Sequence, residues 1–209
     1  MSLILMCILA YIAGSIPNAL WVGKVFRGID LREHGSKNTG ATNAARVLGW
    51  KLGVTVLILD ALKGAVPVCL AQVLKVNVLA DMTGIQGFDA IVVGLCAILG
   101  HTFSVFLKFK GGKGVATTLG VFAVLAPKAI FVLAAIFFVT FFVFKYVSLS
   151  SIISAACLPL FVYLFYKNVP LTLISMALGI IIIVKHKSNI IRLISGTENK
   201  FGVKKDGEK

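Results

Sequence analysis

Long apolar runs separated by short polar breaks organise the whole chain. A helix needs roughly 20 apolar residues to cross about 30 Å of hydrocarbon. Six runs reach or approach that length: about 3–23, 52–74, 86–107, 128–147, 149–166 and 169–184. A seventh, 114–126 (GVATTLGVFAVLA), is shorter and would reach only about 20 Å as a helix. Pro127-Lys128 and Tyr166-Lys167-Asn168-Val169-Pro170 have the turn chemistry of helix-to-helix connections. No basic segment precedes the first run, and its Gly14-Ser15-Ile16-Pro17 break leads into more apolar sequence. It therefore reads as a retained helix rather than a signal peptide. The pattern predicts an all-α, polytopic integral membrane protein, folded as a single domain over 1–209.

Composition narrows the class further. The 209 residues are 58% hydrophobic and 14% charged, with a mean hydropathy of +0.97, whereas soluble domains carry about 25% charged residues. A soluble nucleic-acid binder, a disulfide-stapled secreted module and a disordered tail protein are excluded, so nucleic acid is not an expected partner. Cys7, Cys69, Cys96 and Cys157 are scattered singly through apolar sequence and read as packing residues.

The net charge of +13 is first a topology signal. Lys24, Arg27, Arg32, Lys37, Arg46 and Lys51 fill one break; Lys108, Lys110 and Lys113 fill another. The tail holds Lys185, Lys187, Arg192, Lys200, Lys204, Lys205 and Lys209. With Lys145 these are 17 of the 21 basic residues, against Lys75, Lys128 and Lys167 in the alternate breaks and Lys63 inside a run. The positive-inside rule puts the 17 in the cytoplasm. That places the N-terminus outside and the C-terminus in the cytoplasm. An even number of crossings then separates 113 from 185. Four short helices give seven spans in all and require 114–126 to cross; two crossings with re-entrant segments give five. No internal repeat marks an inverted-repeat transporter.

Three polar segments, all on the cytoplasmic side, carry the candidate chemistry. Gly35-Ser36-Lys37-Asn38-Thr39-Gly40-Ala41-Thr42-Asn43-Ala44-Ala45-Arg46 combines glycines, hydroxyls, amides and cations, the groups that bind oxyanions. A short helix from near Thr42 to Gly49 would align Asn43 with Arg46; a solvated basic loop is the plainer alternative. Phe109-Lys110-Gly111-Gly112-Lys113-Gly114 leads directly into an apolar helix. Its glycine N–H groups, the helix N-terminus and the lysines (Lys108 included) describe a phosphate cradle, although not the nucleotide P-loop pattern. The third segment, His186-Lys187-Ser188-Asn189-Ile190-Ile191-Arg192-Leu193, aligns His186 with Asn189 if helical. Asp60 and Lys63, inside a predicted span, each cost about 2.5–3.5 kcal/mol at a helix centre. They are expected to pair or to face a wet interior, as a structural couple. His101 either lines the glycine-loop site or caps its span. No GxSxG elbow, His-x4-Asp motif, HExxH or loop Cys–His pair is present, so direct transfer between two bound substrates is expected rather than a covalent acyl-enzyme.

At these residues the chain resembles the bacterial acyl-phosphate-dependent glycerol-3-phosphate acyltransferases, the PlsY family. The resemblance rests on GSIPNALWVGK (14–24), GSKNTGATNAARVLG (35–49), GHTFSVFLKFKGGKGVAT (100–117) and HKSNIIRLISGTE (186–198), in the family's order over nearly the whole chain. Lys37 departs from the small residue expected at its position.

The resemblance implies transfer of a fatty acyl group from acyl phosphate to the sn-1 hydroxyl of glycerol 3-phosphate. Lysophosphatidic acid and phosphate would result, in the first acylation step of bacterial phospholipid synthesis. It also implies a multi-pass protein of the bacterial cytoplasmic membrane whose three motifs converge in a site facing the cytoplasm. No metal, cofactor or acyl carrier protein is implied, and handover from an acyl-phosphate-producing enzyme is a possible partnership. The resemblance gives Ser36, Arg46, His186 and Asn189 as catalytic and Gly111, Gly112, Lys113 and Gly114 as phosphate-binding; Asn38, Thr42, Asn43, Lys108 and Lys110, the amide, hydroxyl and cationic groups of the same segments, are expected to bind substrate or phosphate with them. Glu198 is expected to be a structural anchor.

Physics favours such a site independently. Two unit charges 5 Å apart at an effective dielectric of 20 repel by about 3 kcal/mol, and two phosphates accumulate several such pairs. Cations and oriented amides would offset that repulsion and orient the hydroxyl. The hydroxyl proton would go to His186 or to a substrate phosphate oxygen. A transporter or flippase for an anionic lipid or phosphate ester is the alternative reading, and a membrane scaffold with a basic face is a further one.

Overall fold

A computed structural model describes residues 2–202; Lys204, Lys205 and Lys209, counted above with the basic face, lie outside the described residues. Those residues form eleven α-helices and one 3₁₀ turn, with no strand among them. They divide into two compact units, Met1–Pro127 and Lys128–Lys209.

In the first unit, α1 (Leu3–Ser15) opens on Ser2, whose side chain accepts from the Leu5 N–H. It ends where Pro17 cannot continue it. After a bend of 41° the chain continues as α2 (Asn18–Arg27), closed by Gly28 in the left-handed conformation. The run 3–23 is thus two helices meeting at a polar break rather than one. Next come α3 (Ala41–Leu48), α4 (Trp50–Val73), α5 (Val78–Thr83) and α6 (Phe88–Thr102), the 3₁₀ turn Val105–Leu107, and α7 (Val115–Leu125). The sequence pattern gave no sign of α5; the buried Asp89 carboxylate holds its first turn by accepting from the N–H groups of Leu79 and Ala80.

Small residues let these helices approach closely. A side chain at Gly14 would strike the backbone of Ala97 and one at Gly100 that of Tyr11, so α1 lies directly on α6. Gly120 meets the Ala61 backbone and Gly64 that of Thr117, which seats α7 on α4. Where lipid offers no hydrophobic drive between helices, such packing is what associates them. A cluster of Ala19, Val22, Leu31, Ala44, Leu48 and Val56 fixes α2, α3 and α4 beneath the first polar segment.

The second unit holds α8 (Pro127–Phe144, entered from the first unit's last residue), α9 (Val147–Tyr166), α10 (Val169–Lys185) and α11 (Lys187–Ile194). Pro127 begins α8 instead of forming a turn, as suits a residue whose missing N–H would be unpaired there anyway. Asn168 caps α10 by accepting from the Leu171 N–H. α9 packs along α10, and the tail returns through the Phe201 N–H, which donates to the Lys145 carbonyl.

Among the described residues, α4, the stretch Phe88–Leu107, α8 and α9 are long and apolar enough to cross a membrane. The bent pairs α1–α2 and α10–α11 raise the number to six if each is one span. α7 has 11 residues and extends only about 16 Å.

Candidate functional site

The first polar segment is shaped by one buried amide. Asn43, on α3, is 2% exposed. Its Oδ1 accepts from the Ser36 N–H at 2.8 Å, and its Nδ2 lies 3.0–3.2 Å from the carbonyl oxygens of Leu31, His34 and Asn38. The sequence reading gave Asn43 to substrate binding; the structure engages its amide inside the loop, where it fixes the course of residues 31–38. The loop presents Ser36 in the open, with Asn38 and Thr42 half-buried, and Arg46 follows on α3, also half-buried. Two cations that precede this segment, Arg32 and Lys24, are engaged locally. Arg32 donates to Asp30 through Nε and Nη2, at 3.0 and 2.6 Å, and Lys24 stands 3.7 Å away. The Arg32 hydrogen bond holds the Asp30 carboxyl well below the usual carboxylate range.

The glycine loop is laid back on the end of α6. After the 3₁₀ turn, Lys108 and Phe109 both take left-handed backbone. The Gly111 N–H then donates to the Thr102 carbonyl at 3.2 Å and the Gly112 N–H to that of His101 at 3.1 Å. A side chain on Gly111 would strike the His101 carbonyl, and one on Gly112 the His101 ring. These two N–H groups therefore face α6, and the absence of side chains at Gly111 and Gly112 permits close approach of the loop. The N–H groups that open α7 lie one step later. The first four N–H groups of a helix lack intrahelical acceptors, here from the cap Gly114 (φ +85°) through Thr117, and the helix dipole adds partial positive charge. Lys113 is half-buried beside them; Lys108 and Lys110 are exposed.

Behind the loop lies a buried polar cluster. Asp60 Oδ1 accepts from the Lys63 ammonium at 2.8 Å and from the Asn18 amide at 2.9 Å. Lys63 also donates to the Ile16 carbonyl at 2.8 Å, the acceptor released where α1 breaks. His101 Nδ1 is 3.9 Å from the same Asp60 oxygen. Lys63 and His101 line a small pocket with Thr39, Ser15, Ser104 and Gly112. Thr39 of the first segment and Gly112 of the second are thereby brought to one place. Asn18 and Thr39 were not singled out from the sequence. An amide inside an apolar run, which must find a partner, was the signal that marked Asn18.

The third segment lies in the second unit. His186 is buried where α10 turns into α11, with Nδ1 2.8 Å from the Ile182 carbonyl. A carbonyl only accepts, so Nδ1 carries a hydrogen and the neutral ring keeps its lone pair on Nε2. Asn189, expected to be catalytic, is buried and donates to Glu198 Oε1 at 2.8 Å. Ser148 donates to the same oxygen at 3.0 Å and Arg192 Nε to Oε2 at 2.7 Å. Burial alone would raise the Glu198 carboxyl, but hydrogen bonds from Asn189, Arg192 and Ser148 outweigh it and hold the pKa below its ordinary value.

A family model described as glycerol-3-phosphate acyltransferase matches residues 4–196. A glycerol-3-phosphate acyltransferase of Fusobacterium nucleatum is 50% identical, the match covering 93% of this chain and 95% of the relative. One from Trichlorobacter lovleyi is 47% identical over 92% of this chain and 94% of its own. Two crystal structures of PlsY (YgiH), an integral membrane glycerol 3-phosphate acyltransferase, also match. The glycerol 3-phosphate form has 38% identity and a TM-score of 0.86 over 96% of both chains. The lysophosphatidic acid form has 37% identity and a TM-score of 0.83, over 96% of this chain and 95% of that one.

Proposed function

The chain belongs to the glycerol-3-phosphate acyltransferase family, and on that premise we propose that it transfers a fatty acyl group from acyl phosphate to the sn-1 hydroxyl of glycerol 3-phosphate, releasing lysophosphatidic acid and phosphate. This is the first acylation step of bacterial phospholipid synthesis, fed by an enzyme that makes acyl phosphate. The pocket joining Thr39 to Gly112, next to the N-terminus of α7, carries the reading. It supports a phosphate site made by the first two segments together.

The hydroxyl oxygen attacks the acyl carbonyl carbon, the bond from that carbon to the phosphate oxygen breaks, and phosphate leaves with the electron pair. Acyl phosphate is a mixed anhydride with a good leaving group, so the protein's task is to hold two anions and stabilise developing charge. We assign the donor phosphate to the α7 amides and Lys113, with Lys108 and Lys110 adding to the field, and glycerol 3-phosphate to Ser36 and Arg46. His186 takes the hydroxyl proton on Nε2, a role its Nδ1 bond to Ile182 favours. Asn189 acts as a positioning residue through Glu198.

The full proposal is one domain with seven crossings: α1–α2 as a bent span, with α4, α6, α7, α8, α9 and α10. The N-terminus is outside, and the three polar segments and the C-terminus face the cytoplasm, in the cytoplasmic membrane. Purified protein in detergent, given glycerol 3-phosphate with palmitoyl phosphate or palmitoyl-CoA, tests the reaction. Lysophosphatidate and phosphate should form from palmitoyl phosphate. Exclusive use of the CoA ester overturns the donor, and no product from either overturns the enzyme.

A further inference from the structure

We propose that His101 is a positioning residue for acyl transfer: its imidazole, set by the Asn18–Asp60–Lys63 cluster, is the floor on which the glycine loop rests and so fixes where the amides at the start of α7 point. The inference builds on the assignment of the donor phosphate to those amides. Three observations converge on it. His101 is 6% exposed, with one ring edge toward Asp60. The ring's other nitrogen faces Gly112, where an added Cβ would meet Nε2 before any other atom. The backbone closes the same contact, because the His101 carbonyl accepts the Gly112 N–H and that of Thr102 the Gly111 N–H.

Asp60 is itself held by Asn18 from α2 and, one turn along its own helix α4, by Lys63. The charge pair is therefore a bracket that sets the imidazole's position, and through it the loop's. A displacement of about 1 Å in a phosphate cradle costs on the order of 100-fold in rate, so a rigid floor matters. On this account the glycines at 111 and 112 are dictated by His101.

The test is a two-residue cycle on the purified full-length protein, with palmitoyl phosphate as donor and inorganic phosphate as product inhibitor. His101→Ala should raise the donor KM and the phosphate inhibition constant by about tenfold or more, leaving the glycerol-3-phosphate KM within about twofold; His101→Asn, which keeps a polar group facing Asp60, should recover most of the loss. Gly112→Ala should lose about 100-fold in donor kcat/KM, and adding His101→Ala should restore at least about tenfold of it, because the ring it strikes is gone. Multiplying losses, or a glycerol-3-phosphate KM that moves as far as the donor KM, overturn the inference. Should His101→Ala not fold, the Asn variant is paired with Gly112→Ala and read by the same criteria. Wild-type protein inactive with palmitoyl phosphate overturns the donor reading itself, a result distinct from an active wild type with no coupling.

Discussion

Two buried carboxylates, one in each unit, organise the polar parts of this molecule in different ways. Asp60 is 1% exposed in the middle of α4 and collects an ammonium, an amide and an imidazole edge from three helices. Glu198 is 7% exposed just beyond α11 and collects a hydroxyl, an amide and a guanidinium. Asp60 has a buried partner, since the Lys63 side chain is 7% exposed, whereas the Arg192 side chain is 35% exposed. A buried ion pair that loses one member strands the other, while a partner at the surface returns to solvent. Position, more than the number of hydrogen bonds, decides how much each carboxylate matters.

The largest effect should follow from breaking the Asp60 side. Asp60→Ala leaves the Lys63 ammonium buried without its counter-ion and should cost about 3–5 kcal/mol of unfolding free energy in detergent. Asp60→Leu combined with Lys63→Leu removes both charges and should recover most of that stability. Acyl transfer should stay low in the double variant, because His101 has lost its bracket. Recovery of activity along with stability would make the pair purely structural.

On the Glu198 side the effect is smaller and depends on pH. Glu198→Gln keeps a side chain of the same size but gives up the charge, and should cost about 1.5–3 kcal/mol at neutral pH. The sign follows from the depressed pKa. Stability from a carboxylate whose folded pKa lies below its ordinary 4.5 is fully present above that value and fades as pH falls through the lower, folded value. The gap between wild type and variant should therefore be flat from neutrality to about pH 5 and narrow below pH 4. A gap unchanged down to pH 3 would mean that the charge contributes nothing.

The helices were legible because membrane spans are written in long apolar runs, and the two breaks that bend them carry Pro17 or His186. The polar segments were legible for the same reason, as interruptions with an unusual density of glycine, amide and cation. What the sequence did not reveal was direction. Asn43 has the composition of a ligand-binding residue, yet its amide turns inward onto three carbonyls. The N–H groups of Gly111 and Gly112 turn toward α6 because His101, ten residues earlier, occupies that side. Spacing along the chain reports which residues share a helix face; it is silent on which way a loop folds back. His101 itself looked like either a span cap or a site residue, and only the contact with Gly112 separates the two.

The smallest predicted effect supplies a ruler for the other two. Lys37 lies in the loop shaped by Asn43, outside both carboxylate clusters, and its φ is +57°, the left-handed region that disfavours side chains. A small residue at this position is what the family resemblance leads one to expect, and the backbone gives the reason. Left-handed backbone costs a non-glycine residue about 1–2 kcal/mol, part of which glycine returns through its greater freedom when unfolded. Lys37→Gly should therefore stabilise by about 0.5–1 kcal/mol. Lys37 is exposed and is not among the hydrogen-bond or ion-pair partners described for either carboxylate, so its gain should add to the losses of Asp60→Ala and Glu198→Gln within about 0.5 kcal/mol. Chemical unfolding of the three single and two double variants checks this. A gain that vanished in either double variant would tie the first polar loop energetically to that carboxylate, and the contrast between the two clusters would have to be redrawn with the loop as part of one of them.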